Sequence, residues 1–116
     1  MDVTAKQAFI RRKASENRSD PTGSGILWTR HAIAELANEG WIRRAIENGL
    51  VTSQVIEDYP VVHRPLPDCL ALGQLASGES FHAVLAVDIN RDVLVVITVY
   101  RPSSEEWDNE WKTRKR

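Results

Sequence analysis

Two apolar, β-branched runs constrain this chain more than any other feature: Phe81 to Asp88 and Val93 to Tyr100, separated by Ile89-Asn90-Arg91-Asp92. Residues of this kind favour extended backbone packed between neighbouring strands. A link this short cannot carry a crossover, so the two runs pair as adjacent antiparallel strands at the centre of a sheet. Their register decides what the sheet can present. Side chains alternate between faces, so an even connection with Asp88 opposite Val93 sets His82 opposite Val99, on the other face from Thr98 and Tyr100. Asn90 tolerates left-handed backbone, as three- and five-residue hairpin loops require. The expectation is an odd loop or a bulge between Asp88 and Val93, uniting His82, Thr98 and Tyr100 on one face.

The rest of the chain supplies layers around this hairpin. Cys69 to Leu75 reads as a further strand and Val51 to Glu57 as another. The stretch holding Pro60, Pro65 and Pro67 is a loop or a sheet edge, because proline donates nothing to a ladder. Residues 4–17 read as a helix capped by Thr4 with a narrow stripe of Ala5, Ala8 and Phe9, followed by turn formers from Ser19 to Gly25. After Ile26-Leu27-Trp28, Thr29 caps a helix that buries Ile33, Leu36 and Ala37 and stops at Gly40. A short helix buries Ile42, Ala45 and Ile46 and ends at Asn48-Gly49. Pro102 stops the last strand, and Ser103 with Glu106 forms a capping-box signature that opens a helix stacking Trp107 on Trp111. The fold class is α+β: N-terminal helices packed on a four-stranded, mostly antiparallel sheet, with a short C-terminal helix. Residues 1–25 form a helical arm and linker, and 26–116 the core domain.

Composition narrows the function classes. A chain of 116 residues holds one packed core. The single cysteine, Cys69, excludes an internal disulfide and a cysteine-rich zinc site, and its apolar strand suits an inert core thiol. The longest apolar run, Val93 to Val99, is far short of a membrane span. The first dozen residues carry Lys6, Arg11 and Arg12 with no apolar stretch to follow, so no signal peptide and a cytoplasmic location are expected. Net charge is −1, although cations crowd both ends of the chain. No two of the histidines, Glu57 and Asp58 are spaced as local metal ligands, no glycine-rich loop opens a helix after a strand, and no serine sits in a nucleophile elbow. Neither a metal nor another cofactor is expected.

Seven residues are candidates for chemistry. His31 lies opposite the expected apolar stripe of its helix, with Glu35 and Asn38, and is either a general base or a solvated surface residue. His82 is the one ionisable group in its run and needs a partner or a cleft, for structure or for proton transfer. Thr98 and Tyr100 are the polar interruptions of the last strand. Arg30, Arg101 and Arg114 are candidate phosphate clamps, since guanidinium matches phosphate oxygens in pairs, although each alone is equally a surface arginine.

Five ordered motifs carry a resemblance. They are Trp28-Thr29-Arg30-His31-Ala32, Val55-Ile56-Glu57-Asp58-Tyr59-Pro60, Pro67-Asp68-Cys69-Leu70, Phe81-His82-Ala83-Val84, and Thr98-Val99-Tyr100-Arg101-Pro102 with Trp107. Over residues 27–116 the chain resembles the bacterial domain of unknown function numbered 4258, a group placed among toxins of the barnase–colicin–RelE-like ribonuclease superfold. The resemblance implies a site of His31, His82, Thr98 and Tyr100 with Arg114. It also implies RNA as substrate and a cognate antitoxin, carrying a small zinc-finger domain, as partner. A homodimer is a further expected assembly, and no membrane partner is expected. Many members carry an arginine one turn after the first histidine, where this chain has Glu35. The expected function is metal-independent cleavage of RNA by histidine acid–base chemistry, with His31 and His82 as base and acid in either order. The alternative is a non-catalytic module of the same fold that binds protein or RNA.

Overall fold

The computed structural model describes residues 1–21, 23, 25–59 and 68–115. The segment with Pro60, Pro65 and Pro67 lies outside the described residues. Among the described residues three α-helices, α1 (Val3–Ser19), α2 (Arg30–Glu39) and α3 (Arg43–Gly49), accompany β1 (Ile26–Trp28), β2 (Gln54–Asp58), β3 (Cys69–Gln74), β4 (Ser80–Asp88) and β5 (Val93–Tyr100). The five strands form one mixed sheet in the order β1-β5-β4-β3-β2. The architecture is α+β, with one strand more than the four expected. The additional strand, β1, pairs parallel to β5 through Ile26↔Leu94 and Trp28↔Val96. Its three residues are too few to show an alternation of their own.

The central hairpin has the predicted outcome by a different route. Asp88 does stand opposite Val93, so the connection is even, and Asp92 rather than Asn90 adopts left-handed backbone at φ 54°. The extra residue lies inside the strand. Leu85 pairs with Val96 but Val84 pairs with Thr98, so Ile97 bulges and the register beyond it shifts by one. His82 therefore stands opposite Tyr100, with Thr98 on the same face.

Phe81, Ala83, Leu85, Leu94, Val96 and Val99 point to the other face and build the core with all three helices. Phe81 lies over its cross-strand partner Gly73, and Gly49 of α3 closes on the same ring. Both positions need glycine, because an added Cβ would fall 2.3 Å from the ring at Gly73 and 2.6 Å at Gly49.

Helix α1 belongs to this core. Phe9, Ile10 and Ala14 join the hydrophobic cluster, and Lys6 and Lys13 are buried beside them. The lysines explain why the apolar stripe looked narrow in the sequence: their alkyl stems line the core while the charged ends find carboxylates. Lys6 Nζ donates to Asp58 at 2.6 Å and to the Asp68 carbonyl at 2.8 Å. Asp2, not Thr4, caps the helix, accepting from the Ala5 N–H.

Helix α2 flanks β5. The Thr29 hydroxyl accepts from the Ala32 N–H and donates to the Ile97 carbonyl, which fixes the helix's rotation at the bulge. Ala32 and Leu36 face inward, whereas Ile33, expected in the buried stripe, is 49% exposed and Ala37 is exposed too. In α3, Ile46 is buried, but Ile42 forms the N-cap and is exposed.

The expected C-terminal helix does not form. Ser103 does start a turn, accepting from the Glu105 N–H at its hydroxyl and from the Glu106 and Trp107 N–H groups at its carbonyl. Asn109, Glu110 and Trp111 then take φ of 52°, 55° and 72°, which reverses the chain into a two-stranded ladder of β6 (Trp107–Asp108) and β7 (Thr113–Arg114). Tertiary packing overrides the local capping signal here: Trp107 is buried against the sheet face that carries His82.

Candidate functional site

The Ile97 bulge gathers His82, Thr98 and Tyr100 on the sheet face opposite the helices, under the β6–β7 segment. His82 is fully buried, and both ring nitrogens are engaged. Nε2 lies 2.8 Å from the Trp111 carbonyl, which can only accept, so Nε2 carries a proton. Nδ1, 3.1 Å from the Tyr100 hydroxyl, then accepts from it in the neutral ring. Burial favours that neutral form and pushes the His82 pKa below its usual 6.5. The Trp111 carbonyl and the Glu57 charge oppose the shift, and Arg114 adds to it. The Trp107 indole packs edge-on against the imidazole at 4.4 Å between centroids.

Next to the imidazole stands Arg114, expected as a phosphate clamp, paired with the Glu57 carboxylate, which the sequence reading did not single out as a site residue. Arg114 Nε and Nη2 donate to the two Glu57 oxygens at 3.2 and 3.0 Å, and Tyr59 donates its hydroxyl to Glu57 at 2.8 Å. The guanidinium holds the Glu57 carboxyl below the usual range. Burial and the neighbouring Glu57 raise the Tyr59 phenol, and burial raises the Tyr100 phenol to about 12. Arg114 also stacks over Trp107 at 4.6 Å. Glu57 and Tyr59 stood in plain view within the Val55–Pro60 motif. What was missing was the knowledge that β7 would return Arg114 to the end of β2.

Of the remaining predicted residues, His31, Arg30 and Arg101 lie away from this cluster and Thr98 lies on its face. His31 is exposed on α2, and its side chain has no hydrogen bond, ion pair or ring contact with a described residue. Arg30 is exposed and without an ion pair among the described residues. Arg101 pairs with Glu79 at 2.8 Å and Glu39 at 3.5 Å and lies over Trp41, so its charge is already matched. Thr98 is half-buried beside Tyr100 on the site face. Cys69 is buried in the core, which pushes its thiol pKa up to about 12. Among the described residues no three of His, Cys, Asp and Glu cluster as metal ligands would, and none of the helices is long and apolar enough to cross a membrane.

Chemically the cluster holds a neutral imidazole, an ionised carboxylate, two phenols and a guanidinium on one sheet face. No curated protein and no solved structure matches the chain significantly. A family model described as a domain of unknown function (DUF4258) matches residues 28–101. That span contains Glu57, His82 and Tyr100 and leaves out Trp107, Trp111 and Arg114. With well over half of its length matched, the chain belongs to the DUF4258 family.

Proposed function

We propose that the chain is a metal-independent endoribonuclease of the toxin–antitoxin kind, acting at the His82 cluster. The juxtaposition of His82 and Tyr100 with the Glu57–Arg114 pair carries this reading. Attack of an RNA 2′-hydroxyl on the adjacent phosphorus forms a P–O2′ bond and breaks the P–O5′ bond. One proton leaves the 2′-oxygen and one must reach the 5′-oxygen. Glu57, ionised, takes the 2′ proton, and the imidazolium form of His82 passes its Nδ1 proton through the Tyr100 hydroxyl to the 5′-oxygen; solvent then reprotonates His82 and takes the proton from Glu57. Arg114 exchanges its Glu57 partner for the phosphate oxygens, where two parallel N–H donors match the developing charge. Thr98 and Tyr100 line the phosphate's approach. The second histidine first expected as base, His31, has no contact with this cluster, and Glu57 takes its place in the proposal. A cytoplasmic location and a cognate antitoxin that covers this face complete the reading.

A second reading has its own observation. His82 is fully buried with both nitrogens bonded, and Arg114 is neutralised by Glu57, as a structural staple holding the C-terminal segment would be. On that reading the chain is a binding module. The two readings separate on incubation of the purified chain with labelled single-stranded RNA in excess EDTA. The enzyme yields 2′,3′-cyclic phosphate and 5′-hydroxyl ends, and the module leaves the RNA whole. Cleavage lost on chelation and restored by a divalent ion removes the proposal.

A further inference from the structure

A cavity of about 660 Å³ opens on the same sheet face, between β2–β4 and the β6–β7 segment. Its floor is continuous with the His82 site, because Leu72 in that floor is the cross-strand partner of His82 and Trp107 in its wall packs on the imidazole. Gln54, Gln74 and Ser80 line it from the strands, and their side chains have no hydrogen-bond partner among the described residues. Trp111 lines it from the β6–β7 segment and is half-buried, and its indole has neither a ring contact nor a partner for its N–H among the described residues. Trp107, by contrast, is used up between His82 and Arg114.

These features select a ligand class. Asp108 and Glu110 outnumber Lys112 along the wall, so the cavity repels an anion. Unspent amides, a hydroxyl and a free indole face suit an uncharged planar ring with donors and acceptors along its edge. The geometry points to a subsite for a single unstacked nucleobase of single-stranded RNA, with Trp111 as stacking platform and Gln54 and Gln74 reading the base edge. The inference rests on the ribonuclease reading for its ligand class. It adds that the cut is base-selective and that the base is held beside the phosphate site. Trp111 joins the two functions, since its carbonyl accepts from His82 Nε2 and the same residue lines the cavity.

The test uses the full chain and four probes, the 3′-monophosphates of adenosine, guanosine, cytidine and uridine. Binding to the wild type is followed at the Trp111 indole N–H by NMR, and the affinities of the wild type and all variants by isothermal titration calorimetry. At least one probe shifts that signal, Trp111→Ala weakens its binding tenfold or more, and Trp111→Phe restores most of the affinity. Gln74→Ala, a substitution at an exposed position at the strand end, changes the rank order of the four probes and serves if Trp111→Ala fails to fold. No shift at Trp111 with any probe up to millimolar concentration, or equal affinity in the wild type and both alanine variants, overturns the subsite. The same proteins are assayed on RNA. Cleavage whose base preference survives both alanine substitutions removes the subsite and leaves the ribonuclease standing, whereas nucleotide binding at Trp111 without cleavage does the reverse.

Discussion

Gly73→Ala probes the packing that positions β4, and through it His82 one residue further on. An alanine Cβ at Gly73 would stand 2.3 Å from Phe81 Cζ, 2.8 Å from Cε2 and 2.9 Å from Cε1. Separations this short are not tolerated, so the ring must move. It cannot retreat toward α3, where Gly49 is already close enough that a Cβ there would meet Cε2 at 2.6 Å, and Trp41 packs edge-on with its centroid 6.3 Å away. Overpacking of a filled core costs about 1–3 kcal/mol. Three ring atoms in collision with nowhere to go place this substitution at the upper end, about 2–3 kcal/mol. In urea, with a denaturant slope of about 1–3 kcal/mol per molar, the unfolding midpoint falls by roughly 1 M or more at unchanged slope. Phe81→Leu removes the colliding atoms, so in that background Gly73→Ala costs less than about 1 kcal/mol. The double-mutant cycle then shows a coupling of about 1–2 kcal/mol. Additive costs, or a Gly73→Ala effect under about half a kcal/mol, would refute the argument that the Phe81 ring is clamped over a glycine floor.

Deleting residues 1–25 abolishes cooperative unfolding measured by circular dichroism, because it strips Phe9 and Ile10 from the core at about 1.5–3 kcal/mol each and leaves Asp58 and Asp68 without Lys6. A truncated chain that folds with native stability would make α1 a dispensable arm. Acidification destabilises in two stages. With a folded pKa held below 6.5, neutral His82 contributes stability that is present above 6.5 and is lost as pH falls toward the lowered value. Glu57, held below 4.5 by Arg114, adds a second loss at lower pH. Urea midpoints in His82→Gln lack the upper stage, and an unchanged profile in that variant contradicts the assignment. Arg114→Ala costs under about 1 kcal/mol of stability, since its ion pair with Glu57 is half open to solvent. RNA cleavage by the same variant drops about 10²-fold or more, as for removal of a transition-state donor. A large stability loss with proportionate activity loss would mark Arg114 as structural.

Three of the five sheet strands were legible because their signals are long and local, whereas β1 was not expected and the strand expected from Val51 begins only at Gln54, after a turn of 3-10 helix over Leu50–Thr52. Cys69–Gln74, Ser80–Asp88 and Val93–Tyr100 fall within a residue of the expected limits. The side of the sheet on which His82 stands was also legible as a requirement, though not the means. A bulge at Ile97 is set by the Thr29 hydroxyl and β1 packing on β5, contacts remote in sequence. The C-terminal error has the same origin. Ser103 and Glu106 do begin a capped turn, but the burial of Trp107 against His82 outweighs helix propagation. Of the candidate site, the residues on the central hairpin could be read directly. Glu57 and Tyr59 could not be chosen over other polar residues until β7 brought Arg114 beside them.

Single-turnover cleavage of a short RNA in EDTA by the wild type, His82→Gln and Tyr100→Phe decides whether this cluster is an active site, provided circular dichroism shows all three folded. The wild type cuts, His82→Gln is slower by about 10²–10⁴-fold, as expected for loss of a general acid–base group, and Tyr100→Phe falls between them. A folded wild type that leaves the RNA intact, or a His82→Gln variant that cuts at the wild-type rate, contradicts the assignment of His82 to catalysis.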